Sequence, residues 1–281
     1  MSTDTAAPVR AKAGAGWRTV RRLLISIGGA VLSIAVICAF WQGVISGFGL
    51  DPFITRGPLD VWDYLTASGN GAERHVLIEA SLTTGRDALL GMVSGTVVAL
   101  VAAILFVLYR PVEQAVMPVA MALRAVPLVA MTPLIALIFG RGLLSVTVIA
   151  GIVTFFPVLV NVVLALRAVP ASSFDLLRAY GASPSTTLFK VQLPSALPSL
   201  FAALRIAAPL ALVGALLAEW LTTGQGLGYL MLQSVTTFEL DRMWAAVTIV
   251  TIASIVLYSL ISAVEQLTLA RYAPDRTTRT L

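Results

Sequence analysis

Side chains able to carry acid–base, nucleophilic or metal chemistry are scarce in this sequence, and they do not converge. It has one histidine, His75, one cysteine, Cys38, and two lysines, Lys12 and Lys190. His75 has no cysteine or second histidine with which to share a metal ion, so it reads as an interfacial residue and no metal site is expected. Cys38 lies inside an apolar run and has no partner in the chain for a disulfide. A Ser-His-Asp hydrolase needs its three groups within reach of one another, and the sole histidine sits apart from the apolar stretches. No Gly-x-x-x-x-Gly-Lys-Ser/Thr phosphate loop occurs. The chain is therefore read as a non-enzyme with no catalytic residue and no cofactor of its own.

Two features remain. Glu219 is the one carboxylate near the interior of a long apolar stretch, where a charged group is costly and by default a functional candidate, in a gate or along a solute path. The other reading of Glu219 is a hydrogen bond to backbone near Gly224 or Gly226. The second feature is a polar segment, residues 167–199, that carries explicit helix signals. Ser172-x-x-Asp175 has the form of a capping box, Phe174, Leu177 and Tyr180 recur at helical spacing, and Gly181 supplies a stop. Ser183-Pro184 predicts a second helix start, running to about Val191 and ended by Leu193-Pro194. A two-turn helix in water has nothing of its own on which to bury an apolar stripe. It must meet a partner surface or fold back on its own chain.

The elements that hold these features are membrane spans. The composition is 58% hydrophobic and 12% charged, against about 25% charged in soluble domains. Four charge-free runs are long enough to cross hydrocarbon: Leu23–Ile45, Ala88–Tyr109, Leu143–Leu166 and Met243–Val264. Two more are interrupted, Val116–Phe139 by Arg124 and Leu200–Leu221 by Arg205 and Glu219. Six spans in an all-α polytopic membrane protein result. The first run, although preceded by Arg10, Lys12, Arg18, Arg21 and Arg22, exceeds the roughly 7–15 residues of a signal-peptide core, so it reads as a retained span.

Placing both termini in the cytoplasm leaves only Arg56, Arg74, Arg86, Arg141 and Arg242, of 19 Lys and Arg, on the outside. The net charge of +5 thus reports orientation in a plasma (inner) membrane, and no nucleic-acid partner is implied. Arg124 and Arg205 fall near cytoplasmic helix ends, where they can snorkel. The predicted organisation is a basic tail (1–22), the first span (23–45), an outer segment with a short surface helix from Pro58 (46–87), a five-helix core carrying the 167–199 loop (88–270) and a cytoplasmic tail (271–281). Pro127 and Pro157, with Pro118, Pro133 and Pro209, predict bent central helices facing a bundle interior, and mark Pro127 and Pro157 as candidate path or gate positions. Gly91-x-x-x-Gly95 permits close helix approach.

Asp175-Leu176-Leu177-Arg178-Ala179-Tyr180-Gly181, nine residues, then Val191-Gln192-Leu193-Pro194 resembles the EAA loop of binding-protein-dependent ABC transporter permeases, Glu-Ala-Ala-x-x-x-Gly, nine residues, Ile-x-Leu-Pro. Asp175 replaces the glutamate, and Leu176-Leu177 replace the alanines. Leu123-Arg124-Ala125-Val126-Pro127, Phe155-Phe156-Pro157, Leu204-Arg205, Ala218-Glu219 and Gly226-Leu227-Gly228-Tyr229 are similar to the nitrate, sulfonate and taurine branch. The resemblance implies a type I ABC importer permease fold and a coupling helix that docks into a P-loop ATPase made as a separate chain, which binds the ATP and Mg. It places Ser172, Phe174, Asp175, Leu177, Tyr180, Gly181, Leu193 and Pro194 in ATPase coupling. It also implies an extracytoplasmic solute-binding protein, a second permease copy or paralogue, and a small anion such as sulfonate, taurine or nitrate as solute, or a heterocycle such as a thiamine precursor. An ion-coupled secondary transporter is the alternative; it would place paired charges at the midplane of two recognisable halves.

Overall fold

A computed structural model describes residues 15–272, and every regular element among them is helical. The described residues divide into two units, meeting between Asp63 and Tyr64. The first unit holds α1 (Ala15–Gly47), which overlies the first predicted span, and most of α2 (Pro58–Thr66). The α2 helix starts at the predicted Pro58, and the Asp60 carboxylate accepts a hydrogen bond of 2.7 Å from the Gly57 N–H ahead of it. Arg10, Lys12, Arg276 and Arg279 lie outside the described residues.

The second unit is a bundle centred on α3 (Gly71–Leu108), α6 (Leu143–Arg167) and α9 (Leu193–Ala218). Around these run α4 (Arg110–Ala125), α5 (Leu128–Phe139), α7 (Ala171–Ala179), α8 (Pro184–Thr187), α10 (Gly226–Thr236) and α11 (Leu240–Tyr272). Four helical stretches of the described residues are long and apolar enough to cross a membrane: Ser68–Leu108, Leu143–Arg167, Pro184–Thr223 and Leu240–Ala270. A fifth crossing forms only if α4 and α5 act together.

That pair corrects the predicted third span, Val116–Phe139. The chain breaks at Val126-Pro127, and α4 and α5 meet at 107°. Proline disfavours the helical conformation at the residue before it, and at this break Val126 is extended at φ −75°, ψ 126°. The second span also differs from Ala88–Tyr109. Its helix begins at Gly71, after a turn at Ser68–Asn70, and its 38 residues reach about 57 Å, well beyond hydrocarbon roughly 30 Å thick. The charged first turns of α3 therefore project from the membrane. There the Arg242 guanidinium grips Glu73 through two bonds, of 2.7 and 2.9 Å, tying α11 to α3. Tyr64 donates to the same carboxylate at 3.1 Å. Burial, reinforced by that bond, pushes the phenol up to about 12.

Small residues set the spacing of the core. Ala99, Ala103, Ala203 and Ala207 pack with Leu159, Val162 and Leu166 toward one end, and Ala208, Ala211, Ala215 and Ala218 with Val146 and Ile149 toward the other. Without a hydrophobic driving force between helices in lipid, close backbone approach is what holds them. The Gly91-x-x-x-Gly95 face of α3 meets α6 at Ala150, Gly151 and Thr154. A side chain at Gly95 would enter the space of the Thr154 hydroxyl and the Gly151 carbonyl, and one at Gly214 would lie 2.7 Å from the Ala150 Cα. Gly95→Val is expected to cost about 2 kcal/mol through forced separation of α3 and α6, read as a lower midpoint in detergent thermal melts. Gly85→Ala, with nothing within 4 Å of the added carbon, is the control expected to melt no lower than the parent, since alanine is the better helix former.

Candidate functional site

The 167–199 loop is built outward from the last turn of α6. Ala168 N–H bonds back to Leu164 O at 3.0 Å, and α7 follows after Pro170, which stands at its N-cap position. The predicted capping box is not formed. Ser172 lies inside the first turn, and no side chain caps α7, because Pro170 ends the preceding turn and lets the helix start at Ala171. The stop is as the sequence indicates. Gly181 takes φ +70°, Ala182 N–H reaches Leu177 O at 2.9 Å and Gly181 N–H reaches Arg178 O at 2.9 Å, a Schellman pair.

Ser183 caps α8, accepting from Thr186 N–H at 3.2 Å, with Pro184 as the first helical residue. The second loop helix, however, does not end at Leu193-Pro194. A π turn over Leu188–Gln192, with Leu193 N–H bonded to Leu188 O, carries α8 directly into α9. Pro194 has no N–H to give, and the widened turn shifts the hydrogen-bond register so that the helix continues past it. Gln192, buried, donates from Nε2 to Leu166 O at 2.8 Å. Both ends of the loop are thereby fixed to the last turn of α6.

The predicted stripe of α7 divides. Phe174 and Leu177 are half-buried, while Asp175 and Ser172 are exposed and Tyr180 is 83% exposed. Leu176, one turn before Tyr180 on the same face, is 60% exposed. Two apolar side chains thus anchor the helix, and two others, with the Asp175 carboxylate beside them, stand in water. Leu193 and Pro194 sit apart from this face, at the start of α9, lining a small recess with Leu100, Val162 and Phe189. The contribution of Leu176 is legible only from exposure, since spacing alone fits either set. Gln192 carried no sequence signal, because a lone polar residue in a helix is ordinarily solvated.

Glu219, Pro127 and Pro157 are not brought together. Glu219 is fully buried in a second π turn, Glu219–Thr223, at the far end of α9. Its Oε2 accepts from the Thr84 hydroxyl of α3 and from Gly228 N–H of α10, both at 2.8 Å, and Thr84 Oγ1 in turn accepts from Leu227 N–H at 2.8 Å. The carboxyl and the threonine together satisfy free N–H groups at the start of α10, the end a negative group favours. Gly226, at φ +86°, leaves room for the carboxyl, which a Cβ there would overlap. Thr84, unremarked among the many hydroxyls of the sequence, completes this knot.

Pro127 marks the α4–α5 break. Leu123 before it and Met131 after it line a cleft of about 500 Å³, faced by Phe155 and Phe156 of α6 and floored by Gly95 and Gly151. Pro157 adjoins Phe156 but does not line the cleft. Arg205 does not merely snorkel, since it pairs with Glu265 of α11.

A bundle of long apolar helices, joined by a polar helical loop at one end and tied at the other by the buried Glu219–Thr84 and Glu219–Gly228 hydrogen bonds, has the build of a multi-pass membrane protein. The family described as binding-protein-dependent transport system inner membrane component matches residues 95–271, and the chain belongs to that family. It is 31% identical to a riboflavin transport system permease protein of Chloroflexus aurantiacus, over 89% of this chain and 92% of that one. It is 30% identical to a putative aliphatic sulfonates transport permease protein of Bacillus subtilis, over 76% and 77%. Among solved structures, the MetNI methionine ABC transporter in an inward-facing conformation superposes with a TM-score of 0.63 at 20% identity, over 70% of this chain and 98% of that one. The fold is therefore that of a type I ABC importer permease. The chain is a multi-pass membrane permease subunit of an ABC importer, and not an enzyme; ATP hydrolysis belongs to a separate subunit.

Proposed function

We propose that this permease moves a small solute inward, handed over by an extracytoplasmic binding protein, with both termini in the cytoplasm and a second copy or paralogue completing the path. A separate P-loop ATPase, carrying the ATP and Mg, docks on α7. The observation that carries this reading is the exposed Leu176–Tyr180 face beside Asp175, on a helix that follows directly from the end of α6 within a loop whose return is bonded to that same end through Gln192. An apolar patch held in a rigid frame at the cytoplasmic end has little ordering entropy left to lose on binding. The path uses alternation of the bundle between two packed arrangements.

Of the two solute classes, a planar heterocycle is favoured over a small anion. The cleft between α3, α4, α5 and α6 is lined by Phe155, Phe156, Met131, Leu144 and Ile152, with Ser94 and Thr147 as its hydroxyls and no charged side chain. Desolvating a sulfonate against such a wall is costly, whereas an aromatic ring stacks on it.

Purified from membranes with its genomic neighbours co-expressed, the tagged chain is expected to retain a P-loop ATPase at one per permease. Leu176→Asp combined with Tyr180→Asp is expected to lower that recovery about tenfold or more, as loss of a central apolar anchor does. Full recovery of the ATPase by the double variant would overturn the docking face.

A further inference from the structure

The ion pair between Glu113 and Arg167 joins two elements that are otherwise loosely connected. Arg167 is the last residue of α6, four residues before Ala171 opens α7. Glu113 lies in the first turn of α4, with its side chain 13% exposed. Among the residues of α4 only Ala120 is buried, so little apolar packing fixes this helix in place. Its far end is the break at Val126-Pro127, where Leu123 and Met131 form the cleft wall facing Phe155 and Phe156. From Glu113 to Leu123 the helix runs about 15 Å.

We propose that Glu113 and Arg167 are positioning residues that make α4 a lever, transmitting displacement of the docked α7 to the cleft wall at Leu123 and Met131. The inference rests on α7 being the ATPase-docking helix. Three connections meet at the last turn of α6: the covalent start of α7, the Gln192 bond from the loop's return, and the ion pair to α4. A push on α7 reaches α6 and α4 together. Because α6 is packed on α3 and α9 through close small-residue contacts, and α4 is not, the compliant element is α4, and the Pro127 break is where its swing changes the cleft.

The test uses the full chain assembled with its ATPase, in a Cys38→Ser background carrying Leu123→Cys, and N-ethylmaleimide as the probe. With the native pair, trapping the ATPase with ATP and vanadate is expected to change the labelling rate at position 123 about threefold or more. Glu113→Gln, or Arg167→Gln, is expected to abolish that change while the ATPase still co-purifies and hydrolyses ATP. Exchanging the charges, Glu113→Arg with Arg167→Glu, is expected to restore it. A labelling change that survives either single variant, that is absent with the native pair, or that the exchange does not restore overturns the lever. Single variants that lose the ATPase altogether also overturn it, since the pair would then serve docking. Failure of the ATPase to accompany the chain with the native pair would instead strike the docking reading itself.

Discussion

Gly181→Asp is expected to separate the permease from its ATPase almost completely while leaving it folded in the membrane. Gly181 sits at φ +70°, where a side chain costs about 1–2 kcal/mol through its own backbone. A carboxylate just past the C-terminal end of α7 adds about 0.3–1 kcal/mol against the helix dipole. Nothing lies within 4 Å of the added Cβ, so the loss is conformational and confined to the loop. Together these terms lower the population of the capped α7 by about tenfold or more. The measurement is the ratio of ATPase to permease after affinity purification, set against the thermal midpoint of the permease alone. The midpoint should stay close to the parent's, because the buried contacts of the bundle do not involve α7. Gly181→Asn, which shares much of the backbone cost and adds no charge, should recover the part of the loss that the helix dipole supplies. Unaltered ATPase recovery with Gly181→Asp would remove α7 from the coupling assignment.

Glu219 carries the other large effect. Removing its side chain in Glu219→Ala strips the acceptor from Gly228 N–H and from the Thr84 hydroxyl and leaves a cavity, all in a fully buried place. Such a loss is expected to cost about 3–5 kcal/mol. Glu219→Gln keeps an oxygen at the Oε2 position and the same shape, and is expected to cost about 1–2 kcal/mol. Thermal melts in detergent and recovery of the folded permease distinguish the two variants. Gly226→Ala is expected to behave like the alanine variant, because its Cβ would displace the carboxyl from the far side. If Glu219→Gln instead destabilised as much as Glu219→Ala, the knot would depend on the charge, and a role in a gate would regain weight over the latch.

Much of this was legible in the sequence. The apolar runs, their lengths and the bias of arginine and lysine define a helical membrane protein, since a lipid-exposed backbone must satisfy its own hydrogen bonds. Gly181 and Ser183-Pro184 announce the end of α7 and the start of α8 in the residues themselves, because a positive φ and an N-cap are local demands. The predicted capping box at Ser172 failed for an equally local reason, the proline two residues earlier. Leu193-Pro194 was misread as a stop because proline breaks an α register, and nothing in the chain records that a π turn can absorb it.

What the sequence determined by itself is the helical membrane class, the placement of the loop between apolar runs and the helix stop that shapes it, all of which follow from backbone chemistry and hydrophobic length; the break at Val126-Pro127 that divides the predicted third span was not among them. Only the tertiary structure decided which side of α7 faces water, that Gln192 reaches Leu166, that Glu219 meets Thr84 and Gly228, and that Glu113 meets Arg167. Thr84 and Glu219 are 135 positions apart, and Glu113 and Arg167 are 54. Pairings across such distances depend on which faces of α3, α6 and α9 come together. Those faces are chosen by the fit of glycine and alanine surfaces, a property of two helices at once that no single run of residues carries.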